Sequence, residues 1–179
     1  MRIIAGSCRG LKLKAPAEIT RPTSDRVREA IFSMLQFVVE DAVVLDLFAG
    51  TGALGIEALS RGARKCTFVE NHHRALKILR DNLALAKVSD RAKIVSSDAL
   101  KYCQSAPPVD LILADPPYYR DGAPDWAGQL LRQALPLKSG GFLLLEVEAE
   151  RSTPDQIEHF NLIKRKNYGS TSILLLEKK

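Results

Sequence analysis

Five short apolar runs recur through the middle of the chain: Val43–Leu47, Cys66–Val69, Lys93–Val95, Leu111–Ala114 and Phe142–Val147. Most are apolar at consecutive rather than alternate positions, the pattern of strands buried on both faces. Segments of helical spacing separate them. Gly52–Arg61 is closed by Gly62, Arg74–Ala86 keeps Ala75, Ile78, Leu79 and Leu83 on one face, and Trp126–Leu135 precedes the last run. Such alternation predicts a mostly parallel sheet with helices on both faces. Ligands of such sheets bind beyond the carboxyl ends of the strands.

The flanking segments extend this plan. RIIAG and GLKLKAP around Ser7-Cys8-Arg9-Gly10 predict a β-hairpin in which Leu11 and Leu13 alternate with Lys12 and Lys14. RPTSDRVREAIFSML predicts a helix capped by Thr23 or Ser24, with Val27, Ile31, Met34, Leu35 and Val38 at helical spacing. Gly140-Gly141 is expected to turn the chain into the fifth run. Thr153 is expected to cap a short helix, Pro154–Phe160. Leu162–Asn167 and Ser172–Glu177 form a closing hairpin around Tyr168-Gly169.

A chain of 179 residues, 46% hydrophobic, suits a single core. No run of 18 apolar residues occurs, so no membrane span is expected, and the N-terminus does not read as a signal peptide. Cys8, Cys66 and Cys103 are odd in number and lack metal-ligand spacing, as expected of reduced thiols in a cytoplasmic protein. His72, His73 and His159 read as surface residues, and no metal site is expected. Trp126, at a helix start after Asp125, reads as core.

Charge is distributed unevenly. Residues 1–28 hold Arg2, Arg9, Lys12, Lys14, Arg21, Arg26 and Arg28 against Glu18 and Asp25, while the remainder is balanced. A basic segment beside a neutral domain suits a polyanion-binding arm, residues 1–22, on a domain of residues 23–179; a solvated edge is the plainer reading. Lys164-Arg165-Lys166 forms a second basic cluster.

Acids stand at the ends of four successive strands: Asp46, Glu70, Asp98 and Asp115. At one sheet edge they would line one crevice. The loop after the first strand contains Gly50-Thr51-Gly52-Ala53-Leu54-Gly55, a G-x-G-x-x-G fingerprint, with Glu70 about 20 residues on. NAD would bring an anionic pyrophosphate to this helix N-terminus, which Asp46 opposes. S-adenosylmethionine carries a sulfonium and an ammonium instead, which Asp46 suits. Glu70 can accept hydrogen bonds from the ribose hydroxyls and Asp98 from the adenine amino group. Phe48, Gly50, Gly52, Asn71 and Ala99 complete the expected contacts, with Thr23 and Arg21 at the first helix N-terminus as candidates for the cofactor carboxylate.

The fourth strand ends in Asp115-Pro116-Pro117-Tyr118, and proline cannot continue a central strand. A carboxylate on Asp115 and the Pro116 carbonyl can each accept one N–H of an exocyclic amine, aiming its lone pair at a methyl donor. Tyr118 can stack on a planar base.

VLDLFAGTGALG, FVE and ADPPY resemble the amino-methyltransferases of the class I S-adenosylmethionine-dependent fold. RIIAGSCRGLKLKAP, RPTSDRVREAIFSML, DLFAGTGALGIEALSRGA and LKSGGFLLLE together resemble the bacterial 16S ribosomal RNA guanine-N2 methyltransferase family over nearly the whole chain. The resemblance implies a Rossmann-like α/β fold with seven strands, the last antiparallel. It implies cofactor contacts at Asp46, Gly50, Gly52, Glu70 and Asp98, amine contacts at Asp115 and Pro116, and stacking by Tyr118. The implied partner is 16S rRNA of the small subunit, met by a cytoplasmic monomer. The chain has little between Tyr119 and Trp126 to form a long lid, and no family motif after Glu150. The nearest rival is a DNA adenine-N6 methyltransferase, but groove readout would be left to the N-terminal hairpin of roughly 20 residues, with no separate target-recognition domain expected. A protein glutamine methyltransferase would favour Asn at position 115. A non-catalytic ribosome-assembly factor would not need the Asp115-Pro116 pair.

Overall fold

The computed structural model describes residues 1–15, 25–118, 124–150 and 157–179. The order is α1 (Asp25–Met34), β1 (Val43–Leu47), α2 (Ala53–Ser60), β2 (Lys65–Glu70), α3 (His73–Ala86), a 3₁₀ turn (Ser89–Arg91) and β3 (Ala92–Ser96). It continues with α4 (Ala99–Cys103), β4 (Val109–Ala114), α5 (Trp126–Arg132), β5 (Leu137–Glu148), β6 (Phe160–Tyr168) and β7 (Thr171–Lys178). The seven strands form one sheet in the order β3-β2-β1-β4-β5-β7-β6. β1 to β5 pair in parallel, and β7 runs antiparallel to both β5 and β6. The expected α/β Rossmann-like sheet is therefore present, reversed strand included.

The reversal of strand order lies between β1 and β4, the switch point at which such sheets bind ligands. Two apolar layers flank the sheet. One joins Ile31, Phe32 and Leu35 of α1 and its following turn to Ile56 and Leu59 of α2 and Leu79 and Leu83 of α3. The other joins Ala99 and Cys103 of α4 to Leu130 and Leu131 of α5.

Three expectations are corrected and one further element is added. β5 begins at Leu137 and runs through Gly140-Gly141 instead of starting after them. A register shift between Val109 and Leu111 absorbs the extra residues, and Gly140 takes a left-handed φ of 71° within the irregular stretch. α5 stops at Arg132, short of Leu135, because in a continued helix the Pro136 ring would clash with the Arg132 carbonyl and Leu135 is biased away from helix. α4 was not anticipated; it is only five residues long, below the length at which periodicity is legible. Ile157 pairs with Phe160, whose N–H donates to the Ile157 carbonyl at 3.1 Å, so the described end of the expected C-terminal helix is a tight turn. Its proposed cap Thr153, like Thr23, Ser24 and Arg21, lies outside the described residues.

The N-terminal hairpin is reduced to one antiparallel bridge, Arg2 to Lys12, and is docked on the domain. Ile3 and Leu13 are buried. Fully buried Glu57 of α2 accepts the backbone N–H groups of Ile4 and Ala5 at 2.7 and 3.0 Å and pairs with Arg61 at 2.7 Å. Hydrogen bonds to a charged group contribute about 1.5–3 kcal/mol each. Asn82 of α3 holds Lys14 at both its N–H (2.8 Å) and its carbonyl (3.1 Å). Leu13 thus faces inward and its lysine neighbours outward, as their alternation requires.

Candidate active site

β1 delivers the chain into a tight loop at the switch point. Phe48, Gly50 and Gly52 all take positive φ, at 59°, 55° and 84°. Gly55, one turn into α2, permits close packing. A Cβ there would lie 2.3 Å from the Phe68 ring and 2.8 Å from Asp46 Oδ2. This lets the Gly55 N–H reach Asp46 Oδ2 at 2.9 Å.

Glu70, ending β2, stitches the loop to the next strand. Its Oε2 accepts from the Gly50 N–H at 2.8 Å, and its Oε1 from the Asn71 and His72 N–H groups at 2.9 and 2.8 Å. A carboxylate offers about four acceptor positions, so roughly one remains, on Oε2. Asp98 caps α4 by accepting from the Lys101 N–H at 2.9 Å.

Beyond these strand ends lies a cavity of about 180 Å³ lined by Phe48, Val69, Glu70, Asn71, Ser97, Asp98, Ala99, Asp115, Pro117 and Trp126. A narrow cleft adjoins it, bounded by Pro116, Pro117, Tyr118, Trp126, Glu146 and Glu148. The fold thus brings Glu70, Asp98 and Asp115 to one cavity, with Phe48, Asn71 and Ala99. Gly50 and Gly52 shape the loop behind it. Asp46 sits beneath the loop rather than in the lining. Pro116, which is buried, and Tyr118 face the second cleft.

Three residues gained meaning only in the structure. Trp126 is a partly exposed wall of both spaces, not core, and its ring lies 5.7 Å from that of Phe48. Glu146 and Thr171 hold the Tyr118 hydroxyl. The Asp-Trp pair opening a helix just after the proline loop was a signal for the first. No sequence signal links Tyr118 with Thr171, which lies 53 residues away on another strand.

The lining holds three carboxylates and no Lys or Arg. That donor set suits a cationic ligand with hydroxyls and an amine, as in S-adenosylmethionine, and disfavours a pyrophosphate. Burial pushes the Asp46 carboxyl up to about 8, against the Gly55 N–H and reinforced by the charges of Asp115 and Glu70. Burial likewise raises the Cys66 and Cys103 thiols, the latter to about 12. All three cysteines are free thiols, and no metal cluster occurs among the described residues.

The Asp46 shift has a measurable consequence. Its ordinary value is 3.8, so between about pH 4 and 8 the folded protein keeps a proton that the unfolded chain releases. The stabilisation is complete below that window and is lost as pH rises through it. Asp46→Asn stays neutral and can still accept from Gly55. Thermal unfolding of the cofactor-free variant is expected to vary less from pH 5 to 8 than that of the wild type. Equal pH profiles would overturn the assignment.

A sequence profile of the family described as conserved hypothetical protein 95 matches residues 1–177. Ribosomal RNA small subunit methyltransferase D of Escherichia coli K12 is 37% identical, covering 99% of this chain and 90% of that protein. The Haemophilus influenzae protein of the same name is 38% identical over 99% of this chain and 93% of its own. A solved structure of a hypothetical protein from Thermus thermophilus superposes with a TM-score of 0.83 at 30% identity, covering 99% of both chains.

Proposed function

The chain belongs to the family described as conserved hypothetical protein 95 and is an S-adenosylmethionine-dependent rRNA methyltransferase; on that premise we propose that its acceptor is the exocyclic N2 amine of a guanine in 16S rRNA of the small ribosomal subunit. The observation that carries the amine chemistry of this reading is the placing of Asp115-Pro116-Pro117-Tyr118 at the end of β4, between an acid-lined cavity and a second cleft, while guanine N2 as the particular amine rests on the family resemblance.

When bound, S-adenosylmethionine supplies an electrophilic methyl group on a sulfonium. The chain's part is to hold and orient. Glu70 accepts from the ribose and Asp98 from the adenine amine, while Phe48, Gly50, Gly52, Asn71 and Ala99 line or shape the rest of that site. Asp46 lies beneath it. Thr23 is assigned to the same site. Asp115 and the Pro116 carbonyl each accept one N–H of the target amine. This turns its lone pair out of conjugation and stabilises the positive charge that develops. Tyr118, anchored by its hydroxyl to Glu146 and Thr171, offers its ring to the guanine.

In this reading the hairpin grips RNA phosphates through Arg2, Arg9, Lys12 and Lys14, and the protein acts as a cytoplasmic monomer. Arg2 pairs with Asp25 at 3.1 Å and Lys14 with Asp81 at 2.8 Å. Exposed pairs of this kind contribute little and exchange readily for phosphate. Arg9 and Lys12 are exposed and make no ion pair among the described residues. No described helix is long and apolar enough to cross a membrane.

The test offers labelled cofactor with unmodified small subunits, naked 16S rRNA and duplex DNA in parallel. Label is expected in N2-methylguanine of the rRNA, and label in DNA adenine would overturn the reading. Reversing Lys12 and Lys14 to Glu is expected to weaken RNA binding and flatten its salt dependence, with cofactor affinity unchanged. Wild-type RNA binding by that variant would reduce the hairpin to a solvated edge.

A further inference from the structure

We propose that the edge strand β6 is a second RNA-binding surface, with Lys164 and Lys166 holding the phosphate backbone that leads into the cleft at Tyr118. The proposal rests on the rRNA reading above. From Phe160 to Leu176 the chain carries three Lys or Arg side chains and no Asp or Glu. All three lie on β6, the outermost strand, whose outer side pairs with no other strand among the described residues.

Register gives this charge a direction. Lys164 lies opposite Leu175 and Lys166 opposite Ile173, which is in turn opposite Glu146 of β5. Tyr168 lies opposite Thr171. Residues directly opposite share a face, as do residues two apart on one strand. Lys164, Lys166 and Tyr168 therefore stand on the same face as Glu146 and Thr171, the two residues that hold the Tyr118 hydroxyl. Because β7 is antiparallel to both neighbours, β6 runs with β5 and its C-terminal end lies at the active-site edge. Lys166 is two strand spacings, about 10 Å, from Glu146.

Lys164 and Lys166 are exposed and make no ion pair among the described residues. Arg165 faces the other way and is engaged, donating to the Ala149 carbonyl at 3.1 Å and to Ser172 Oγ at 3.3 Å. The row thus presents two cations spaced along an extended strand, which suits successive phosphates of a single strand bringing its base to Tyr118.

Lysines also guard sheet edges against pairing with another chain. The double variant Lys164→Glu/Lys166→Glu separates the two roles, since it keeps the edge charged and reverses the sign. Its binding to a 16S rRNA transcript is measured across a salt series, with cofactor affinity and melting temperature as controls. Affinity near 0.1 M salt is expected to fall about tenfold, and the slope of log K against log salt to become shallower by about 1.5, two phosphate contacts' worth. Lys164→Gln/Lys166→Gln, which carries no repulsion, is expected to show the same slope change with a smaller loss of affinity, and keeps the test open if the charge reversal misfolds. Folded variants with wild-type affinity and slope overturn this surface and leave the function reading standing. A wild-type protein that binds neither the transcript nor unmodified small subunits overturns both.

Discussion

Asp115→Ala is expected to slow methyl transfer by about 100- to 1000-fold, the 2.7–4 kcal/mol typical of removing one oriented acceptor from a developing charge. The residue stands where β4 leaves the sheet and lines the cavity beside Glu70 and Asp98. The Gly50 loop takes its tie from Glu70, so cofactor affinity by calorimetry is expected to change far less than turnover. Asp115→Asn keeps one acceptor oxygen and should fall between alanine and wild type. Single-turnover rates at saturating cofactor make the comparison. Alanine turnover near the wild-type rate would remove Asp115 from the chemistry.

Glu70→Ala is expected to act on the other side of the cavity. Losing hydrogen bonds to a charged group costs about 1.5–3 kcal/mol, so cofactor affinity should fall about 10- to 150-fold. Glu70→Gln is expected to do nearly as badly. Both carboxylate oxygens receive backbone N–H groups, and an amide nitrogen cannot accept from Gly50, or from Asn71 and His72. The melting temperature should fall with it, because the Gly50 loop loses its tie to β2. An unchanged dissociation constant in both variants would show that Glu70 serves the loop alone.

Most of the loop at the switch point was legible in one dimension. Strand, glycine loop and helix are neighbours in the chain, so Val43–Leu47, Gly50, Gly52 and Gly55 announce their geometry by type and spacing. The acids of β1, β2, β3 and β4 could be assigned to one edge because parallel strands put all their carboxyl ends together. The basic excess in residues 1–28 could be counted directly.

The rest depended on contacts between distant segments. The pairing of Tyr118 with Glu146 and Thr171 needs β5 and β7 in register, and the exposure of Trp126 needs the gap between Phe48 and the proline loop. The docking of the hairpin on Glu57 joins residues 52 and 53 positions apart, and periodicity reports only the face a residue belongs to, not its partner. Thus the order of elements, the glycine loop after β1 and the proline-stopped tetrapeptide are properties of local sequence, where backbone preference and side-chain spacing act over a few residues. Which acid lines the cavity and which lies buried beneath it, and which residues of β6 share a face with Glu146, were decided by tertiary packing, because burial and strand register exist only once the sheet has assembled.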